Sequence, residues 1–186
     1  MDLRPLLIPP SEAREVQQRA NSFEHKIEMT SRELSDLLML GMGAYTPLDG
    51  FMGYRDWQGV CEGMKTSTGV FWPIPITLSV NEEVANNIKT GDDVALTDDN
   101  GRVYGQITVQ EIYQIDKAIE CKAVFGTVDT NHPGVAKVME QEAYNLGGPV
   151  KVFDEGDYPK KYKGLYMRPA ETRALFERNG WSSVAA

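Results

Sequence analysis

Hydrophobic residues recur at helical spacing in the first third of the chain. Leu34, Leu37 and Leu38 fall on one helical face, and Thr30 with Glu33 forms a capping-box pattern at the start of that face. Gly41 is expected to end the helix in a left-handed conformation. The pattern therefore predicts a capped helix that leads into the tight apolar loop GAYTPLDGFMG, which must fold against a core.

A second amphipathic helix is predicted over about residues 55–64. Trp57, Val60, Cys61 and Met64 repeat there at i, i+3, i+4 and i+7, so their stripe should pack beside that of the first helix. Further helices are predicted from cap and proline signals. They cover about residues 12–20 after a Ser11 cap, 82–89 after an Asn81 cap, 117–125, 133–139 after an Asn131 cap, and 169–179 before Gly180.

Strand patterns occupy the middle of the chain. Residues 26–29 and 149–153 are short strand candidates, and residues 70–80 are rich in β-branched and aromatic residues. Pro73 and Pro75 remove ladder donors from the last of these segments, so we expect an edge or bulged strand.

A hairpin is predicted from residues 93–97 and 103–113, because an Asn-Gly pair lies in the turn between them. On the second arm, Val103 and Ile107 alternate with Tyr104 and Gln106. One face of this arm is therefore expected to be core and the other to face water.

Together these elements predict an α+β fold, in which a mixed barrel-like β domain with flanking helices extends over residues 1–153. Residues 154–167 are charged and contain several tyrosines and glycines, which predicts a linker. Residues 168–186 are expected to form a helix and then a strand, as an α/β domain would begin. The closing WSSVAA resembles the opening of a buried strand, so we expect the chain to end inside an element.

Composition and charge narrow the class of protein. The chain has 186 residues, 41% of them hydrophobic and 25% charged, with a formal net charge of −8. An acidic surface repels phosphate backbones, so we expect no nucleic-acid partner. Cys61 and Cys121 lie far from any paired-cysteine motif, and no apolar run reaches about 18 residues. We therefore expect a cytoplasmic protein with reduced thiols and no membrane partner.

Candidate chemical sites are few. Gly41 and Gly43 invite a phosphate-loop interpretation, but a helix precedes them where that motif requires a strand, so a helix stop and tight turn is favoured. His132 could act as an acid, a base or an anion ligand near a helix start. Since neither His25 nor a cysteine or serine lies at motif spacing from it, a structural role is favoured.

Two charged clusters also have a simpler explanation. The aspartates at 92, 93, 98 and 99 lack the alternating ligand pattern of a calcium loop. We therefore interpret them as strand-end and turn residues on an acidic surface. The lysines at 160, 161 and 163 interleave with tyrosines, as in a single-strand-binding platform. An inter-domain linker is favoured, because the segment is short and the chain is acidic.

Four segments taken together resemble the N-terminal part of ATP sulfurylase, the sulfate adenylyltransferase family. They are LSDLLMLGMGAYTPLDGFMG, GVFWPIPITLSV, FGTVDTNHPGV and RPAETRALFERNGWSSVAA. The resemblance runs from about Leu34 to Ala186 in order and spacing. It implies a PUA-like β-barrel, followed by the first helix and strand of a Rossmann-like nucleotidyltransferase domain.

The resemblance also implies an activity, namely the conversion of ATP and sulfate to adenosine 5′-phosphosulfate and pyrophosphate, with magnesium accompanying ATP. The family's Gln-Thr-Arg-Asn-Pro, His-x-x-His and Gly-Arg-Asp motifs do not occur in this sequence. We therefore assign no catalytic, cofactor-binding or metal residue, and expect this piece alone to be inactive. The family implies a homo-oligomer, often a dimer. The alternative is a free-standing PUA-like module that binds RNA or a protein.

Overall fold

The structure is a computed structural model that describes residues 2–185. Within that range it contains eight helices and seven strands. The helices are α1 (Pro10–Asn21), α2 (Ser31–Gly41), α3 (Tyr54–Gly63), α4 (Glu82–Asn87), α5 (Lys117–Phe125), α6 (Pro133–Glu140), α7 (Tyr158–Lys161) and α8 (Pro169–Asn179). The strands are β1 (Lys26–Glu28), β2 (Gly50–Phe51), β3 (Leu78–Val80), β4 (Asp93–Thr97), β5 (Val103–Thr108), β6 (Glu111–Gln114) and β7 (Tyr144–Val152).

The sheet is arranged around β7, its longest strand. The first half of β7 pairs with β3 and β6, its glycine–proline centre pairs with β2, and its last residues pair with β5, all antiparallel. β4 continues the sheet antiparallel to β5, and β1 adds a parallel edge to β4. β7 thus pairs with four other strands, and the mixed sheet forms a half-barrel.

Close backbone approach at the centre of β7 depends on glycine. Gly148 has φ +155°, and a Cβ atom there would lie 2.2 Å from the carbonyl oxygen of Thr108. A Cβ atom on Gly50 of β2 would lie 1.9 Å from the carbonyl oxygen of Gly148. Neither contact is possible for a real side chain, so these glycines allow β2 and β5 to approach β7.

The main core lies between α2 and the half-barrel. Its fully buried side chains include Leu37 of α2, Leu96 of β4, Ile107 of β5 and Leu146 of β7. A smaller cluster lies on the opposite side of the sheet, where α1 covers Ala95, Val103 and Phe153 with its own Ala20. Both faces of β4 and β5 are therefore buried.

The prediction that one side of the hairpin faces water is wrong at Tyr104 and Gln106 for this reason. Tyr104 and Gln106 are only 6% and 5% exposed, the second of them beside α1. A register shift between Leu96 and Thr97 inserts one residue, and Val103 consequently packs against α1 rather than in the main core. A one-residue bulge moves a side chain to the other face, which a period-two pattern cannot anticipate.

The predicted strand over residues 70–80 forms only at its end, as β3. Residues 70–76, here called the strap, run outside the sheet apart from one bridge between Phe71 and Lys65. Pro73 and Pro75 have no N–H group to donate, so the strap cannot build a ladder. The prediction of an edge or bulged strand is therefore wrong over most of its length.

All seven helices predicted from the sequence form, with ends within two residues of those predicted. The capping box of α2 is confirmed, because Thr30 accepts from the N–H of Glu33 while Glu33 accepts from the N–H of Thr30. The Ser11 cap is wrong. α1 begins two residues earlier than predicted, with Pro10 in its first position, where a proline loses no hydrogen bond.

Two further cap assignments are wrong. Gly41 is the last residue of α2 and its Cβ position lies 3.0 Å from Val152, while Gly43 takes the left-handed conformation at φ +81°. The absence of a side chain at Gly41 thus allows α2 to pack closely against Val152. The left-handed residue that was predicted at Gly41 occurs two residues later, at Gly43. At α6 the cap is His132 instead of Asn131.

The chain after β7 contains no buried residue from α7 onward within the described range. α7 was not predicted, and it lies inside residues 154–167. Residues 181–185 form no strand, and Ala186 lies outside the described residues. The strand predicted for WSSVAA has no ladder partner among the described strands.

Candidate functional site

A groove of about 470 Å³ lies between α2 and the strap. Its lining is mainly apolar, with polar side chains along the α2 side. The lining residues are Arg32, Asp36, Tyr45 and residues 71–76. A mainly apolar groove with a few convergent polar groups has the character of a binding site.

The polar side of the groove is a connected cluster. Arg32 and Asp36 lie one helical turn apart on α2, and the Arg32 Nη1 donates to Asp36 Oδ2 at 3.0 Å. The Tyr45 hydroxyl donates to Asp36 Oδ1 at 3.1 Å. The Arg32 Nη2 donates to the carbonyl oxygen of Thr77 at 3.2 Å, so the cluster also connects α2 to the start of β3.

Burial dominates the electrostatics of this cluster. Desolvation raises the pKa of Asp36, while the charge of Arg32 and the Tyr45 hydrogen bond act in the opposite direction. Burial, together with the neighbouring Asp36 charge, raises the pKa of Tyr45 to about 12. Tyr45 therefore remains a hydrogen-bond donor throughout the physiological range.

Aromatic side chains form the other side of the groove. The ring of Trp72 meets that of Tyr45 edge to face, with centroids 5.6 Å apart. Phe71 and Ile74 of the strap are 67% and 53% exposed. The groove can thus hold a mainly apolar small ligand or chain segment that offers one polar group to the Arg32–Asp36 side.

Glu33 fixes the position of α2, and hence of this cluster. Its Oε2 accepts from the backbone N and the Oγ1 of Thr30 at 2.9 and 2.7 Å. Its Oε1 accepts from the backbone N and the Oγ of Ser79 at 2.7 and 2.8 Å. Glu33 is only 1% exposed, and these four donors satisfy a carboxylate that would otherwise be costly to bury.

The two histidines have structural surroundings. His132 caps α6, since its Nδ1 accepts from the N–H groups of Gly134 at 3.2 Å and Val135 at 3.4 Å. Its ring lies 5.0 Å from that of Phe125 on α5. His25 lies just before β1, and its carbonyl oxygen accepts from the N–H of Ala95. The structure thus gives His132 a capping role in agreement with the interpretation favoured from the sequence.

The four aspartates act as turn and strand-end residues. Asp98 accepts from the backbone N–H groups of Asn100 and Arg102, each at 2.9 Å, and closes the β4–β5 turn. Asp93 accepts from the Thr108 hydroxyl at 2.6 Å. Among residues 2–185 no group of three or more His, Cys, Asp or Glu side chains is placed to hold a metal ion.

The tyrosine–lysine segment interacts mainly with itself. The rings of Tyr158 and Tyr162 are stacked with centroids 6.3 Å apart, and Lys161 lies over the Tyr162 ring. Cys61 and Cys121 are both free thiols, of which Cys121 is buried and Cys61 is half-buried.

The Arg32–Asp36–Tyr45 cluster was not found by sequence reasoning. The signal available for it was the opposite-charge pair at i, i+4 directly after the capping box. Tyr45 and the strap reach the cluster only through folding, so no spacing along the chain indicated them.

Comparison with known protein families identifies the family to which this fold belongs. The family model described as a PUA-like domain matches residues 1–155. The chain belongs to the PUA-like domain family. This confirms the PUA-like, α+β part of the predicted fold, in which a mixed half-barrel carries flanking helices.

Curated relatives confirm the resemblance predicted from the sequence. This PUA-like chain is 52% identical over 185 residues to a sulfate adenylyltransferase of Pelodictyon phaeoclathratiforme, with 99% of the chain and 46% of the relative covered. It is 53% identical over 186 residues to one of Syntrophobacter fumaroxidans, with 99% and 45% covered. The chain therefore spans about half the length of the curated relatives it matches.

A solved structure shows the same fold. The PUA-like chain superposes on part of a protein described as a hexameric APS kinase from Thiobacillus denitrificans, with a TM-score of 0.71 and 26% identity. The match covers 96% of this chain and 31% of that one. Within residues 2–185, no helix has the length and apolarity needed to cross a membrane.

Proposed function

We propose that this chain is the N-terminal portion of a sulfate adenylyltransferase. The whole protein would join a sulfate oxygen to the α-phosphorus of ATP, which gives adenosine 5′-phosphosulfate and releases pyrophosphate. The observation that carries this proposal is the identity of 52% across 99% of the chain to a relative of that name. Such a reaction requires two anions held in line and charge stabilised as pyrophosphate leaves.

The substrate sites would lie outside the described residues. The sequence lacks the family's three catalytic motifs, and no side-chain cluster suited to a metal ion is found among residues 2–185. ATP with its magnesium, and sulfate, would therefore bind in the catalytic domain of the longer protein. The 186 residues alone would be inactive.

The proposed division of the chain follows the sequence prediction. Residues 1–153 form the PUA-like domain, residues 154–167 connect it to the next unit, and residues 168–186 begin a Rossmann-like catalytic domain. The exposure of α8 supports this, because a helix that buries no residue lacks the partner that an α/β layer would supply.

The assembly and location are also proposals. We propose a homo-oligomer, with a dimer as the smallest form, in the cytoplasm. A hexameric neighbour of similar fold, together with two free cysteines, supports an oligomer in a reducing compartment. Light scattering on the purified whole protein would give the number of subunits.

A chimera tests the function. Residues 1–186 would be fused to the part of the Pelodictyon phaeoclathratiforme relative that follows the matched 46%. We expect sulfate-dependent pyrophosphate release from ATP by the chimera, comparable to that of the intact relative, and none by the 186 residues alone. A folded chimera without such release, or release by the 186 residues alone, would contradict the proposal.

A further inference from the structure

Two neighbouring carboxylates directly after β7 each bind a different arginine in a bidentate pair. Asp154 accepts from Arg102 Nε at 2.6 Å and from Arg102 Nη2 at 2.9 Å. Glu155 accepts from Arg168 Nε at 2.8 Å and also from Arg168 Nη2. Bidentate arginine–carboxylate pairs are among the strongest charge-assisted hydrogen bonds, and they fix geometry as well as distance.

The two arginines belong to different parts of the molecule. Arg102 lies in the turn between β4 and β5, and its guanidinium also lies 5.2 Å from the centroid of the Tyr104 ring. Arg168 is the residue that precedes α8, and its backbone N–H donates to Glu171 of that helix at 2.7 Å. Asp154 is therefore bound to the half-barrel and Glu155 to the start of α8, with one peptide bond between them.

Further contacts hold the two carboxylates in place. Asp154 Oδ1 accepts from the N–H of Gly156 at 2.9 Å, and Gly156 adopts φ +67° at the turn that follows. The Tyr166 hydroxyl donates to Glu155 Oε1 at 3.0 Å. The Arg168 hydrogen bonds hold the pKa of Glu155 below its usual range, with Tyr166 contributing in the same direction.

Ordinary surface ion pairs contribute little, but these pairs are partly buried. The side chains of Asp154 and Glu155 are 20% and 12% exposed, whereas those of the α6 pair Lys137–Glu140 are 77% and 66% exposed. No residue of α8 is fully buried, and its inner face, including Leu175 and Phe176, is only partly buried, so a large apolar contact does not fix its position. The ion pairs are thus the contacts best placed to do so.

We propose that Asp154 and Glu155 form an electrostatic clamp that sets the orientation of α8 relative to the half-barrel. The connection between them is then a rigid one, although residues 154–167 have the composition of a flexible linker. If the chain is part of a sulfate adenylyltransferase, as proposed above, the clamp also sets the angle at which the catalytic domain leaves the PUA-like domain.

Residual dipolar couplings of the backbone amides in the 186-residue chain measure this orientation directly. In the wild type, we expect the couplings of α8 to fit the alignment tensor of the half-barrel. In Glu155→Gln they should no longer fit it and should fall several-fold, because α8 then reorients independently. The matched control is Glu140→Gln, which breaks the exposed ion pair on α6 and should leave the couplings of α8 unchanged.

A charge exchange separates the ion pair from a general effect of the substitution. Glu155→Arg combined with Arg168→Glu keeps an ion pair at the same place and should restore the fit of the α8 couplings. If α8 keeps its wild-type orientation in Glu155→Gln, the proposal of a clamp is wrong. That result would not affect the proposed function, which is decided by the chimera's sulfate-dependent activity.

Discussion

At the scale of single residues, Glu120 is a carboxylate in a buried position. It is 4% exposed on α5, and its Oε2 accepts from the indole Nε1 of Trp57 on α3 at 2.6 Å. Burial raises the pKa of Glu120, while the Trp57 hydrogen bond and the charges of Arg32 and Lys117 lower it in part. The ionised carboxylate therefore reduces the free energy of unfolding at neutral pH.

This shift predicts how stability depends on pH. A native pKa above the unfolded value makes Glu120's contribution fully present below the ordinary value of 4.5, and lost as pH rises through the native pKa. Glu120→Gln keeps an acceptor for Trp57 without the charge. We expect the variant to unfold at a higher urea concentration than the wild type at pH 7, with a smaller difference at pH 4.

The control variant is Glu120→Leu, which leaves the Trp57 N–H buried without an acceptor. It should lose about 1–3 kcal/mol of unfolding free energy at both pH values. Parallel urea midpoints of the wild type and Glu120→Gln over the whole pH range would contradict the prediction.

The sequence predicted the hydrogen bonds of individual side chains only where both partners lie close together along the chain. The Thr30–Glu33 box was predictable because both partners lie within one turn. The second half of the Glu33 site was not, since Ser79 lies 46 positions away. The same limit applies to Tyr45, which joins the groove cluster through a loop whose path the sequence did not indicate.

At the scale of elements, helices were predictable from the sequence and strands much less so. Each predicted helix carries its own caps and periodicity, so local patterns suffice. β7 begins at Tyr144, five residues before the predicted strand over 149–153, because Gly147 and Gly148 interrupt any strand pattern in the sequence. In the structure they are ladder residues, and Gly148 allows Thr108 at the end of β5 to approach closely.

The close pairing of β2 with β7 predicts a marked difference between two glycines. At Gly50 a Cβ atom would meet backbone atoms of Gly148 and Pro149, which cannot yield as a side chain could. We expect Gly50→Ala to lower the free energy of unfolding by about 3 kcal/mol, as in severe overpacking. Urea unfolding followed by circular dichroism gives the value.

Gly63, the last residue of α3, is the matched control. No atom lies within 4 Å of its Cβ position, and it lies in a helix, where alanine is preferred over glycine. Gly63→Ala should raise the free energy of unfolding by up to about 1 kcal/mol. Equal losses for both variants would mean that the contact at Gly50 does not determine the effect.

At the scale of the whole molecule, the overall class was predictable and the joining of its parts was not. The PUA-like fold followed from four segments that resemble one family. The contact between Arg102 and Asp154 joins residues 52 positions apart. In the sequence, neither residue differs from an ordinary surface charge. Ion pairs of this kind depend on the path of the folded backbone. The charged composition of residues 154–167 therefore predicted a linker and not a fixed connection.

The two ends of the described chain differ in how they attach to the half-barrel. Residues Leu6 to Ile8 exchange four backbone hydrogen bonds with Gly41 and Val152, and Leu6 and Leu7 pack against the main core. No residue from 168 to 185 is fully buried, although Leu175 and Phe176 are partly buried. The first segment therefore continues the fold, while the second is bound at its surface.

Deletion of each end tests this difference. Removal of residues 168–186 should leave the melting temperature nearly unchanged, because the clamp orients α8 and does not support the core. Removal of residues 2–9 should lower it by roughly 10 °C, since each lost hydrogen bond contributes about 1 kcal/mol in a domain of this size. Scanning calorimetry measures both variants. A large fall after the C-terminal deletion would mean that α8 stabilises the half-barrel and that the proposed domain boundary lies too early.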